Sequence, residues 1–174
     1  YFVISNIDLS FQITSANALN DGEWHYATVM YSGNSNRTGM SMYIDELPAV
    51  VGADSEIAAT ISNTSIFYLG TSYTAGNQFL KGYLDGVRYY NRVLSESEIR
   101  QLYRLGAGTK IASTAKGIPS TGLNSGLVSW WTFDGKDISN GLILDKGTNG
   151  NHGRPMSIAS STFYSIGKIG QGIT

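Results

Sequence analysis

The stretch Phe79–Gly106, FLKGYLDGVRYYNRVLSESEIRQLYRLG, runs a strand signal directly into one short helix that is punctuated at both ends. Alternation places Phe79, Tyr83, Val87 and Tyr89 on one face and Leu80, Leu84 and Tyr90 on the other, which predicts a strand over 79–90 that is partly buried on both sides. The helix opens with Ser95 as N-cap and Glu98 three residues on, a capping box, with Leu94 and Ile99 placed to staple its entry. Gly106 marks its stop. Between these ends Ile99, Leu102 and Tyr103 fall on one side at helical spacing, so about three turns can lie with one apolar stripe on a sheet.

Outward from this segment the chain reads as short strands separated by turn chemistry. Tyr1–Ser5 and Ile7–Ile13 come first, the second alternating Ile7, Leu9, Phe11 and Ile13 against Asp8, Ser10 and Gln12. Glu23–Tyr31 is apolar on both sides and is expected to be central. Residues 32–39, SGNSNRTG, then supply a long hairpin tip before a return at Met40–Asp45. Further strands are expected at Ala49–Val51, Ile66–Leu69, Leu127–Phe133 and Leu142–Leu144, with weaker ones at His152–Ile158 and Ile169–Ile173. The segment 109–125 holds Gly, Ser, Thr, Ala and Pro119 without a sustained period and reads as a linker.

These residues carry a family resemblance. Asp21-Gly22-Glu23-Trp24-His25-Tyr26-Ala27, Met42-Tyr43-Ile44-Asp45, Ile66-Phe67-Tyr68-Leu69-Gly70 and the closing strand and helix resemble, in order and spacing, laminin-G-like, concanavalin A-like jelly-roll domains of bacterial surface proteins. Glu46 stands where that family usually has Gly, which bears on the turn at Asp45. Residues 126–134 (GLVSWWTFD), 145–153 (DKGTNGNHG) and 167–172 (GKIGQG) are similar to the opening of the same domain, so the family's beginning follows its end. Two accounts fit. Residues 1–108 are the C-terminal part of one repeat and 126–174 the N-terminal part of the next, or the two parts complete one permuted sandwich or that of a neighbouring chain. The family places roughly 30 further residues between those parts, several strands of the usual length, which would come from a neighbouring chain, a replacement or a longer parent polypeptide. Starting at Tyr1, the chain reads as a processed product or a segment of a larger protein. The expected fold class is therefore all-β, an antiparallel jelly-roll β-sandwich with one short helix.

Composition narrows the function. With 174 residues there is enough chain for a well-cored β domain, and no apolar run is long enough for a transmembrane helix. Cysteine is absent, which excludes disulfides, zinc-thiolate sites and cysteine nucleophiles. Twelve basic against thirteen acidic residues, without a block of like charge, make nucleic acid an unsuitable partner. Charged residues are 14% of the chain, against about 25% in an ordinary protein. A Gly, Ser, Thr and Asn-rich surface of that kind suits a secreted or cell-surface protein.

Few residues carry chemistry. Glu96 and Glu98 belong to the capping box, Asp54 and Glu56 to a loop, and the adjacent Asp45 and Glu46 point apart on a strand, so no pair suits glycosidic cleavage. His25, flanked by Trp24 and Tyr26, reads as a packing histidine, and His152 as part of a loop. The loop from Asp145 through Asn149 and Asn151 offers hard oxygen ligands suited to calcium, or equally an Asx-stabilised turn. The resemblance implies one structural calcium held by an opening-loop Asp and a carboxylate near the last strand, here Asp145 and Asp85, although Asp85 also suits hydrogen bonding to backbone amides or Arg88. A sugar platform needs aromatic faces with polar neighbours, for which Tyr31, Tyr73, Asn77 and Trp131 are candidates. Asn36 and Asn63 match glycosylation acceptor patterns.

The reading is a non-catalytic extracellular module for adhesion, carbohydrate recognition or surface assembly, whose partner is a glycan or another surface protein. Two rivals stand beside it: a filament or swapped oligomer built by strand complementation, and a polysaccharide-active enzyme of the glucanase or lyase type.

Overall fold

A computed structural model describes residues 2–5, 10–15, 18–34, 37–49, 51–54, 66–71, 79–107, 122–155 and 165–174. Tyr73, Asn77, Asn36, Glu56, Asn63 and most of the expected linker lie outside them. The described chain is mostly β, with antiparallel sheets and one α-helix. It separates into two compact units, Tyr1–Ile66 with Arg92–Leu105, and Phe67–Asn91 with Gly106–Thr174.

In the first unit β1 (Phe2–Ser5), β2 (Ser10–Ser15), β3 (Ala27–Tyr31), β4 (Met40–Ile44), β5 (Leu47–Pro48) and β6 (Val51–Asp54) form two three-stranded sheets, ordered β1-β2-β6 and β3-β4-β5. The long-tipped hairpin is present, with Tyr31 opposite Met40 and the Ser32 N–H donating to Gly39 O at 2.9 Å. Its strand is shorter than expected. Residues 23–26 stay outside β3, which pairs only with β4 among the described strands rather than lying at a sheet centre. Side-chain bonds explain the early break: Asp21 Oδ1 accepts the Glu23 N–H at 3.0 Å, and Asp45 Oδ1 accepts the Tyr26 N–H at 2.9 Å.

The β4–β5 turn is Asp45-Glu46, and both residues have positive φ, 50° and 67°. Two such residues define the type I′ turn whose twist suits a tight hairpin. Glu46 occupies the left-handed region without the freedom of the glycine usual there, so the turn type survives at the expense of local strain.

Next along the chain come β7 (Val87–Tyr90), in the second unit, and α1 (Glu96–Ala107), nearly all of it in the first. The capping box is formed in full: Ser95 Oγ accepts the Glu98 N–H at 3.3 Å, and Glu98 Oε2 accepts the Ser95 N–H at 2.8 Å. Arg92 then grips both Glu98 oxygens at 2.6 and 2.9 Å, so its guanidinium, with the Ser95 N–H, pushes the Glu98 carboxyl down to about 2. Of the expected stripe Ile99 and Leu102 are buried and Tyr103 is half-buried, and the staple residue Leu94 is buried with them. Tyr103 meets Tyr26 edge-on with centroids 6.4 Å apart, which lays α1 against the β3 side of its unit.

In the second unit β7 pairs antiparallel with β8 (Leu127–Trp131), Val87 opposite Trp131 and Tyr89 opposite Ser129. Short ladders follow: β9 (Ile138–Ser139) with β10 (Leu142–Ile143), and β11 (Ser165–Ile166) with β12 (Gln171–Gly172). The strand expected over 79–90 is reduced to β7 and two isolated bridges, Phe79 with Thr71 and Leu84 with Ile173. Gly86, at φ 59°, breaks the alternation between Leu84 and β7. Ile66–Leu69 is not a strand. The core is Trp131, Phe133 and Ile143, with Leu84, Val87, Ile138 and Ile173 packed around it.

Candidate functional site

The β8 segment and the loop after β10 build one hydrogen-bonded body in the second unit. Asp145, 8% exposed, takes three backbone N–H groups on its carboxylate: Trp130 at 2.8 Å and Gly147 at 2.7 Å on Oδ1, and Asn151 at 2.9 Å on Oδ2. Burial pushes this carboxyl up, but the three N–H groups and the Ser129 hydroxyl outweigh it, and Asp145 titrates below an ordinary aspartate. Gly147 is required here, because a Cβ would stand 2.9 Å from Val128 O and 3.0 Å from Asp145 Oδ1.

Two amides stitch the same loop to β8. Asn149 Nδ2 donates to Val128 O at 2.9 Å and Asn151 Nδ2 to Ser129 Oγ at 2.8 Å. The Trp131 indole N–H donates to Asn151 O at 2.9 Å, and His152 Nδ1 accepts the Asp145 N–H at 3.1 Å, which places the His152 ring proton on Nε2. Beneath the loop Asp137 accepts from the Thr132 hydroxyl at 2.8 Å and Lys146 Nζ at 3.1 Å.

Trp131 also supports an aromatic strip. Phe67 stacks on it with centroids 6.3 Å apart and planes 22° from parallel, and Tyr89 stands 5.7 Å beyond Phe67. Trp131 is 8% exposed, whereas Phe67 and Tyr89 are 50% and 49% exposed. Trp131 is thus the buried support, and the outer rings are the surface a ligand can reach. The polar loop and the strip meet through that one indole.

Of the eight residues singled out from sequence, Trp131, Asp145, Asn149 and Asn151 come together here. Asp85 sits on a different loop of the same unit, where its Oδ2 accepts the Ile169 N–H at 2.7 Å. Beside it Asp134 Oδ1 accepts the Gln171 N–H at 2.9 Å, and burial together with the Asp134 charge pushes the Asp85 carboxyl up. Gly167 and Gly170 leave room for these two carboxylates: a Cβ at Gly167 would lie 2.8 Å from Asp85 Oδ2, and one at Gly170 would collide with Asp134 Oδ1. Tyr31 ends β3 in the first unit. Tyr73 and Asn77 lie outside the described residues.

The donor set at Asp145 suits calcium poorly. Both oxygens face N–H groups, and the Asn149 and Asn151 amides present Nδ2 to the chain, so an ion at these atoms would have to displace formed hydrogen bonds. The arrangement fits an Asx-stabilised turn better than a cation cage.

Phe67 and Asp134 carry no local mark of a site residue in the sequence, and Tyr89 reads there as a strand position. The one available signal for Phe67 was its place in the apolar run 66–69; nothing local indicated that it would stack on Trp131, 64 positions later.

The described framework is antiparallel β with one capped helix. A laminin-G-type family model, described as the concanavalin A-like lectin/glucanases superfamily, matches residues 2–100, and the chain belongs to that family, whose fold is the jelly-roll sandwich. Residues beyond 100 fall outside the match. No curated protein and no solved structure matches the chain. Among the described residues no helix is long and apolar enough to cross a membrane.

Proposed function

We propose that this concanavalin A-like domain is a non-catalytic, secreted or cell-surface module that recognises glycans on the exposed rings of Phe67 and Tyr89. The observation that carries the reading is the strip itself, two half-exposed aromatic rings held in place by a buried Trp131. Sugar rings present flat C–H faces that pack on such surfaces, while amides and hydroxyls on a rigid neighbouring loop read their hydroxyls. The loop 145–152, fixed to β8 by the Asp145 bonds, supplies that rigid polar edge without a calcium ion.

The non-catalytic part of the reading is supported by the employment of the acids. Glu98 is held by Arg92, Asp45 by His25 and the Tyr26 N–H, and Asp137 by Thr132 and Lys146.

Affinity electrophoresis through gels containing soluble β-glucan, xylan or galactan tests this. Wild-type protein is expected to be retarded by at least one polymer, and Phe67→Ala and Tyr89→Ala each to lose most of the retardation while keeping the wild-type circular dichroism. Undiminished retardation in both variants, or release of reducing sugar from the polymer, would overturn the proposal.

A further inference from the structure

The imidazole of His25 lies between two carboxylates. Nδ1 is 2.7 Å from Asp45 Oδ2, and Nε2 is 3.1 Å from Asp21 Oδ1. A neutral imidazole owns one N–H; its other nitrogen carries a lone pair, which would face a carboxylate oxygen. Only the imidazolium can donate to both at once. We propose that His25 is a proton-operated clamp that ties the loop 18–23 to the Asp45-Glu46 turn when protonated and releases it on losing its proton.

The geometry says which bond yields. The Asp45 bond is the shorter, and Asp45 is braced by also accepting the Tyr26 N–H; Asp21 is 54% exposed and rehydrates readily. On deprotonation the remaining proton stays on Nδ1, and Nε2 and Asp21 part. Asp21 keeps only the Glu23 N–H within its own loop.

The charged groups that meet the ring are Asp21 from its loop and Asp45 from the turn, while Glu46 of the same turn faces Arg104 of α1 at 3.9 Å. Both groups on the ring are acids. Hydrogen bonds to Asp45 and then Asp21 accordingly raise the His25 pKa above 6.5. The sign follows: a raised folded-state pKa gives stability that is fully present below 6.5 and fades as pH rises through the folded value.

Ring-nitrogen NMR of the whole chain across roughly pH 5–9, a range that brackets an ordinary histidine, reads the clamp directly. His25 is expected to keep imidazolium shifts on both nitrogens above 6.5, and Asp21→Asn, at an exposed position, to lower its titration midpoint. Thermal melts of the same pair should differ most at the acid end and converge at the alkaline end. A His25 midpoint at or below 6.5, or an Asp21→Asn effect equal at every pH, would overturn the proposal.

Discussion

Asp45 in the first unit and Asp145 in the second brace β structure by the same device, a carboxylate that collects backbone N–H groups, yet their remaining partners differ. Asp145 binds three backbone amides that cannot lose a proton near neutrality; Asp45 binds one such amide and an imidazole that can. The Asp145 loop is therefore permanent over the neutral range, and the Asp45 turn is conditional. The chemistry of the donor, rather than that of the aspartate, decides whether a turn responds to pH.

Removing Asp145 gives the largest effect that bears on this contrast. Asp145→Ala strands three N–H groups, and at one to a few kcal/mol for a buried unsatisfied group the second unit is expected to lose about 3 kcal/mol. Urea unfolding followed by fluorescence of Trp130 and Trp131 measures the loss, and a midpoint within error of wild type would mean that the loop is not held by its carboxylate.

Acid separates the two loops next. Asp145 has a depressed folded-state pKa, so its contribution is present above the ordinary aspartate value of 3.8 and is lost as pH falls through the folded value. The His25 clamp behaves in the opposite sense, fading above 6.5. Amide exchange compared between wild type and Asp145→Asn at matched pH should show loop 145–153 protected at neutral pH in wild type alone, the difference narrowing below pH 3.8.

The smallest effect is a gain. Glu46→Gly removes a side chain from a left-handed residue, at φ 67°, and is expected to stabilise the β4–β5 hairpin by about 0.5 kcal/mol after the extra entropy of an unfolded glycine. The Arg104 contact at 3.9 Å, on a guanidinium 73% exposed, offsets little of that. A lower melting temperature for Glu46→Gly would show that the contact outweighs the strain.

Much of the first unit's closing segment was legible because its interactions are local. Ser95, Glu98, Leu94 and Ile99 act within one helical turn of each other, and the helix they announce ends one residue past the expected Gly106. Alternation proved a poorer guide over 79–90, where Gly82 and the Asp85-Gly86 pair interrupt a pattern that the side chains alone continue. His25 read as a packing residue because neither Asp45, twenty positions away, nor the direction of Asp21 is visible along the chain.

What the amino-acid sequence determined by itself is the set of pieces: the capped helix, the long-tipped hairpin, the Asp145 turn and the family motifs, each written in residues a few positions apart. Which piece pairs with which was decided by tertiary structure. Val87 meets Trp131, Phe67 stacks on that same indole, and Ile169 reaches Asp85 across 84 positions. Such contacts form only when burial of Trp131, Phe133 and Ile143 outweighs the entropy of closing long loops, a balance that no short window of residues contains.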